Sequence, residues 1–111
     1  MNINFSGYNE NVVTFETNSN DVIMGTPVKM ASSGTVAKCS ASDEFCGVAV
    51  NVRNGYSAVQ LSGYIEMPTD DTFAVGYQNI CAGDNGKVKS ATSGREYLVV
   101  YVSDGIVGFI L

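Results

Sequence analysis

Residues 47–67 constrain the fold of this chain more than any other stretch. Asn54-Gly55 lies between two runs in which apolar residues alternate with others. Asn-Gly is the strongest short-range signal for a β-hairpin, because both central residues of a type I′ turn need a positive φ. If these two residues form the turn, the numbers of paired residues add up to 109. The sequence therefore predicts an antiparallel hairpin in a defined register.

This register assigns the side chains of the hairpin to two faces. The apolar face holds every second residue, namely Val48, Val50, Val52, Ser57, Val59 and Leu61, with Ile65 and Met67 extending it. The other face pairs Asn51 with Ala58 and Ala49 with Gln60. One apolar and one largely polar face are typical of a hairpin that covers a core, and a shift of one residue would exchange them.

The composition is that of a globular β protein. The chain has 111 residues, of which 45% are hydrophobic and 15% are charged, so it can build a core. Residues 25–39 and 76–90 form a weak internal repeat, each with a glycine, a short strand, a turn and a Gly-x-Val return. We predict an all-β fold, a small β-barrel or β-sandwich built from hairpins. At most one short helical turn is expected, over residues 69–76.

The first 20 residues have a different pattern from the rest of the chain. Six Asn alternate with isolated apolar residues, and only residues 11–16 have the pattern of a strand. Such a segment buries too little apolar surface to offset its ordering entropy. We predict an extended arm over residues 1–20 and a single β domain over 21–111, the alternative being an edge strand with a frayed start. The apolar side chains of the arm that could contact a neighbour are Ile3, Phe5, Tyr8, Val12, Val13 and Phe15.

The C-terminal segment predicts a second hairpin, around Asp104-Gly105. One face would hold Leu98, Val100, Val102, Val107, Phe109 and Leu111, and the other would hold Tyr97, Val99, Tyr101, Gly108 and Ile110. Both faces are apolar, so the arm, the other sheet or another subunit must cover the second one. We predict a subunit interface formed by Tyr97, Val99, Tyr101 and Ile110.

The residues that carry chemistry predict a protein that is not an enzyme. The sequence contains no His, the commonest general base. No activating partner accompanies the three cysteines, which are expected to be reduced thiols. The paired acids Asp43-Glu44 and Asp70-Asp71 are adjacent in polar segments, a pattern more typical of solvated acids than of a catalytic pair or a cation site. We therefore expect no catalytic residue, no metal and no cofactor.

Charge and hydropathy indicate neither a nucleic-acid nor a membrane partner. The net charge is −5, and the six Lys and Arg are scattered along the chain. No apolar run approaches the roughly 20 residues of a membrane span. The first residues also lack the basic start and apolar centre of a signal peptide, so we expect no export.

The order of motifs over residues 25–67 resembles that of the small capsid cement, or head decoration, proteins of tailed phages. These motifs are a Gly-x-Pro-Val start at Gly25, a Gly-x-Val return at Gly34, a polar loop, then Gly47-Val48-Ala49 and Val59-x-Leu61-x-Gly63-x-Ile65. Residues 76–111 resemble the second half of the family pattern, although Gly76-Tyr-Gln-Asn lacks its proline.

This resemblance implies a β-rich structural protein that binds the outside of an assembled capsid, as a trimer, and stabilises the head. Its partners would be the major capsid protein and further copies of itself. It would be located on the exterior of the virion after synthesis in the cytoplasm of the bacterial host. The arm residues would then contact the capsid or a neighbouring subunit.

A carbohydrate-binding or adhesive β-module on a virion or cell surface is the alternative function. Tyr8, Tyr56, Tyr64 and Tyr77 could line a sugar-binding face. The absence of Trp favours packing roles for these tyrosines instead.

Overall fold

The computed structural model describes residues 10–17 and 21–111, and it confirms the predicted all-β class. In this part of the chain the one helical element is a turn of 3-10 helix, Asp84–Gly86. The strands are β1 (Asn11–Thr17), β2 (Pro27–Ser32), β3 (Thr35–Lys38), β4 (Gly47–Arg53), β5 (Tyr56–Ser62), β6 (Tyr64–Pro68), β7 (Gly76–Ala82), β8 (Val88–Ser90), β9 (Glu96–Ser103) and β10 (Ile106–Ile110).

The strands form two sheets that follow one another along the chain. The first sheet is a closed barrel in the order β1-β3-β2-β4-β5, in which β1 pairs antiparallel with β5 and parallel with β3. The second sheet has the order β6-β10-β9-β7-β8. Its two edges meet at a parallel bridge between Thr69, directly after β6, and Val88 in β8.

The second sheet repeats the topology of the first. If β1–β5 are replaced by β6–β10, the barrel order becomes β6-β8-β7-β9-β10, which is the order of the second sheet read in the opposite direction from β6. The Thr69–Val88 bridge takes the place of the parallel β1–β3 pair. We call β1–β5 the first repeat and β6–β10 the second repeat. The repeat predicted from residues 25–39 and 76–90 therefore extends over all ten strands.

Each repeat contains one of the predicted hairpins, and each hairpin carries a β-bulge that the sequence did not indicate. Near the turns the pairs are as predicted, with Val52 opposite Ser57 and Val102 opposite Val107. The register then shifts by one residue, at Val50 in β4 and at the corresponding Val100 in β9. An extra residue in one strand exchanges the faces of every residue beyond it.

The bulge in β4 corrects the predicted faces of the central hairpin. Ala49 pairs with Val59, not with Gln60, and both lie in the core of the barrel. Val48, predicted on the same face as Val59, points away from the barrel and packs in the core of the second repeat. Gln60 is buried on that side, where its amide donates to the carbonyl oxygens of Ser62 and Tyr64, both at 3.1 Å.

The bulge in β9 has the same effect on the C-terminal hairpin. Tyr97 and Val99, predicted on the outer face of the sheet, are buried in the core of the second repeat. Val99 pairs with Phe109 across the hairpin, so the two side chains share the inner face.

The predicted arm does not extend through residues 11–17. These residues form β1, which closes the barrel between β3 and β5. Phe15 packs against the barrel core, whereas Val12 and Val13 are exposed. The predicted contact residues Ile3, Phe5 and Tyr8 lie outside the described residues.

The predicted helical turn over residues 69–76 is also absent from this segment. Thr69 is held in the bridge to Val88, and its hydroxyl accepts a hydrogen bond from the N–H of Asp71 at 3.0 Å. This side-chain turn satisfies the N–H group that a helix would have left free, while the bridge keeps the backbone extended.

A loop of the first repeat, residues 40–46, joins the two repeats. Ser42 donates its N–H to the carbonyl of Ala82 at 2.8 Å, and Ala82 donates to the carbonyl of Asp43 at 2.9 Å. The Phe45 ring enters the core of the second repeat and stacks on Tyr97, with centroids 5.4 Å apart. It also meets the edge of Phe109 at 6.3 Å. The core of the second repeat therefore depends on the first repeat.

Replacing Phe45 with Ala should lower the free energy of unfolding by about 3–5 kcal/mol, because it removes a buried ring and leaves a cavity between the repeats. Urea denaturation followed by tyrosine fluorescence measures this loss. The control is Tyr56→Ala, in which the side chain is 54% exposed, and it should change stability by no more than about 0.5 kcal/mol. Equal effects of the two substitutions would contradict the assigned role of Phe45.

Asp43 should make this loop sensitive to acid. Its carboxylate accepts hydrogen bonds from Lys29 Nζ at 2.7 Å and from the N–H of Ser40 at 2.8 Å. The Lys29 hydrogen bond, followed by that of Ser40, lowers the pKa of the carboxyl. A lowered pKa contributes stability above the unfolded value of about 4, and this contribution is lost as the pH falls through the folded value.

The substitution Asp43→Asn should therefore lower the melting temperature at neutral pH, and its effect should disappear as the pH falls from about 4 towards 2. Melting curves of both proteins across this range measure the difference. Asp84→Asn, at an exposed acid outside this loop, is the control and should show no such convergence with the wild type. A difference that stays constant with pH would exclude the ionic contribution of Asp43.

Candidate interaction surface

The outer side of the second sheet carries a continuous row of apolar side chains. Tyr77 pairs with Leu98, Leu98 pairs with Ile110, and Ile110 pairs with Tyr64. Tyr101 lies next to this row, opposite Gly108. We call these five residues, Tyr64, Tyr77, Leu98, Tyr101 and Ile110, the outer face. Tyr77 is 68% exposed, whereas Leu98, Tyr101 and Ile110 are half-buried.

Tyr64 covers the backbone of the neighbouring strand within the outer face. A Cβ atom at Gly108 would collide with the Tyr64 hydroxyl, so only glycine leaves room for the ring. The hydroxyl donates a hydrogen bond to the Glu66 carboxylate at 2.7 Å. Burial, together with this hydrogen bond, raises the pKa of the Tyr64 phenol. Tyr64 is therefore a neutral phenol packed tightly against Gly108, and it lies beside the exposed Glu66 carboxylate on the same face.

The structure divides the predicted subunit interface between two places. Tyr101 and Ile110 lie on the outer face, whereas Tyr97 and Val99 are in the core. Sequence analysis missed Leu98 as an outer residue because the bulge reverses the alternation in β9. Tyr77 was singled out only as an aromatic residue, because its pairing partner could not be known before the strand order.

A second exposed apolar feature recurs in both repeats, just before β2 and just before β7. A buried residue, Val22 or Phe73, is followed by exposed Ile23-Met24 or Ala74-Val75. Each loop then ends at a glycine in the left-handed region, with φ of 88° at Gly25 and 107° at Gly76. This φ favours glycine, so the same local requirement recurs at the end of both loops.

Asp70 and Asp71 have hydrogen-bond partners, and the three cysteines are buried or half-buried. Asp70 forms an ion pair with Lys87 at 2.9 Å, and the Asp71 carboxylate accepts from the N–H of Ser90 at 2.7 Å. Burial raises the pKa of the Cys39 thiol to about 12, and it also raises the pKa of Cys46 and Cys81. All three are free thiols, and a raised pKa leaves them protonated and weakly nucleophilic at neutral pH.

The described part of the chain, residues 10–17 and 21–111, contains neither a metal-binding cluster nor a membrane-spanning helix. No group of three or more His, Cys, Asp or Glu is arranged to hold a metal ion. None of its helical elements has the length and hydropathy needed to cross a membrane.

Comparisons with known proteins identify no relative of the chain. No family model, no curated protein and no solved structure matches it.

Gly108→Ala should destabilise the protein by about 1–3 kcal/mol, because the added methyl group takes the space of the Tyr64 hydroxyl. A double-mutant cycle with Tyr64→Ala tests this contact by urea denaturation. Once the ring is removed, the added methyl should cost less, with a coupling energy of about 1 kcal/mol or more. Additive effects would show that Tyr64 and Gly108 are not packed against each other.

Proposed function

We propose that this protein is a non-enzymatic decoration, or cement, protein that binds the outer surface of an assembled tailed-phage capsid and stabilises the head. It acts as a homotrimer, and its partners are the major capsid protein and further copies of itself. The observation that carries the proposal is the outer face of the second repeat. A row of apolar side chains across four strands is suited to contact with another protein surface.

The architecture supports a binding role under mechanical load. The two repeats are joined by backbone hydrogen bonds and by the buried Phe45 ring, so the chain can act as one stiff body. The exposed apolar loop at Ile23-Met24 offers an additional contact. Many weak contacts repeated over a capsid would give strong attachment through avidity.

A shallow cavity supports carbohydrate binding as the second candidate function. It has a volume of about 230 Å³ and lies on the outer wall of the barrel, lined by Thr14, Asn51, Arg53, Tyr56 and Ala58. Tyr56 offers an exposed ring, and the neighbouring amide, hydroxyl and guanidinium groups could bind sugar hydroxyls.

The decisive test is sedimentation of the purified protein with empty mature heads that lack it, taken from the phage that encodes the chain. We expect saturable binding in multiples of three copies, and heads that carry the protein should survive heating longer than bare heads. Tyr56→Ala should bind heads normally. Failure to sediment with heads, combined with Tyr56-dependent retention on a glycan array, would replace decoration with the carbohydrate-binding function.

A further inference from the structure

The contact between the two repeats buries a particular row of the first repeat. Pro27 pairs with Val48, and Val48 pairs with Gln60, so the three side chains lie on the outside of the barrel wall. All three are buried, because the second repeat covers them. Val48 belongs to the core of the second repeat, and the Gln60 amide donates to the Tyr64 carbonyl.

The same row exists in the second repeat, 50 residues later, and nothing in the described chain covers it fully. Tyr77, Leu98 and Ile110 pair with one another as Pro27, Val48 and Gln60 do. The second row has an isoleucine in place of the buried glutamine amide and a larger aromatic ring in place of the proline.

We propose that the outer face of the second repeat binds the first repeat of a second copy of this chain, in the same relation in which the first repeat binds the second within one chain. A second copy is the expected partner, because the equivalent row of the first repeat is already covered by a repeat of the same topology inside the chain. Such a contact is heterologous, because it joins two different surfaces head to tail. Every copy then binds one neighbour through the outer face of its second repeat and another neighbour through a surface of its first repeat.

The receiving surface can be located from the contact inside the chain. There, the row of the first repeat approaches the turn between β7 and β8, and the Thr26 side chain lies against Gly86. Pro27 and Thr26 line a cleft of about 270 Å³ together with Gly83, Asn85 and Gly86. The side of the second repeat that carries this turn is therefore the one that receives the first repeat.

The equivalent surface of the first repeat is the turn between β2 and β3. Met30 pairs with Val36 as Ala82 pairs with Val88, so Gly34 corresponds to Gly86 and Met30 to Ala82. The strand β7 has two more residues between Tyr77 and Ala82 than β2 has between Pro27 and Met30. The backbone of Ala82 forms hydrogen bonds with Ser42 and Asp43 of the first repeat inside the chain, whereas Met30 is 47% exposed. Tyr77 of one copy is thus expected to meet the Ser33-Gly34 turn of the next copy.

A heterologous contact generates either a closed ring or an open filament. Three copies would close a ring of six repeats, alternating first and second. Only this copy number rests on the proposed function, and the contact itself does not. A trimer that fails to bind heads would reject decoration and leave the contact in place, whereas heads decorated by monomers would reject the contact.

The first test compares two lysine substitutions at equally exposed positions. Tyr77→Lys places a charge on the outer face, whereas Val75→Lys, at 66% exposure against 68% for Tyr77, places it in the preceding loop. Light scattering over a range of concentrations should show a trimer for the wild type and for Val75→Lys. Tyr77→Lys should raise the dissociation constant at least tenfold, since a central tyrosine is a typical hot-spot residue. Equal behaviour of the two variants would overturn the proposal.

The second test uses disulfide formation to determine whether the contact is head to tail or symmetric. It is carried out in a Cys46→Ser background, which removes the half-buried native thiol. The double variant Tyr77→Cys/Ser33→Cys should form covalent oligomers that end at the trimer, and neither single variant should form any. Dimers from Tyr77→Cys alone would show a symmetric contact and overturn the proposal. A protein that stays monomeric up to millimolar concentration would also overturn it. If deletion of residues 1–9 then allows association, that segment occupies the outer face.

Discussion

The insertion of Phe45 into the core of the second repeat is the interaction on which the rest of the structure depends. The first repeat is a closed barrel with its own core, whereas the edges of the second sheet meet only at one bridge. Phe45 fills the remaining space by stacking on Tyr97 and meeting the edge of Phe109. Aromatic pairs contribute about 0.5–1.5 kcal/mol beyond their burial, so this cluster couples the folding of the repeats.

The same junction explains why two repeats of one topology are not interchangeable. Arg95, which precedes β9, lies 4.7 Å above the Tyr97 ring, whereas Phe45 reaches that ring from the loop before β4. Arg95 cannot be inserted into a neighbouring core as Phe45 is, because a buried charge without a partner costs several kcal/mol. The loop before β9 therefore inserts no aromatic side chain into another core, unlike the loop before β4.

The parts of the fold that depend on local turn chemistry could be predicted from the sequence. Asn54-Gly55 and Asp104-Gly105 form the predicted turns, and the first pairs beside each turn have the predicted register. The bulges could not be predicted, because a valine in an alternating strand gives no local signal for an extra residue. The outer positions of the second hairpin were therefore exchanged, and Tyr97 and Val99 were placed outside.

The place of β1 in the barrel was hidden for a related reason. Residues 11–16 have the pattern of a strand, but their partners in β3 and β5 lie from 19 to 51 residues further along the chain. Pairing over such distances depends on the whole strand order and not on the segment itself. For the same reason, only part of the outer face could be predicted from the sequence. Tyr101 and Ile110 follow from the alternation of residues in their strands, whereas Tyr77 joins them only through the β7–β9 pair.

The internal repeat separates the residues that set the topology from those that set the interfaces. Glycines with a positive φ recur at the same turns, as at Gly25 and Gly76, and the pairing of the strands recurs with them. The side chains of the equivalent outer rows differ. The Gln60 amide donates to the carbonyls of Ser62 in the first repeat and Tyr64 in the second, whereas Ile110 is half-exposed. A polar residue tolerates burial only where its hydrogen bonds are fixed, as they are inside one chain. The apolar residue in the second row suits a contact with a separate molecule, because it leaves no polar group unpaired in either the free or the bound state.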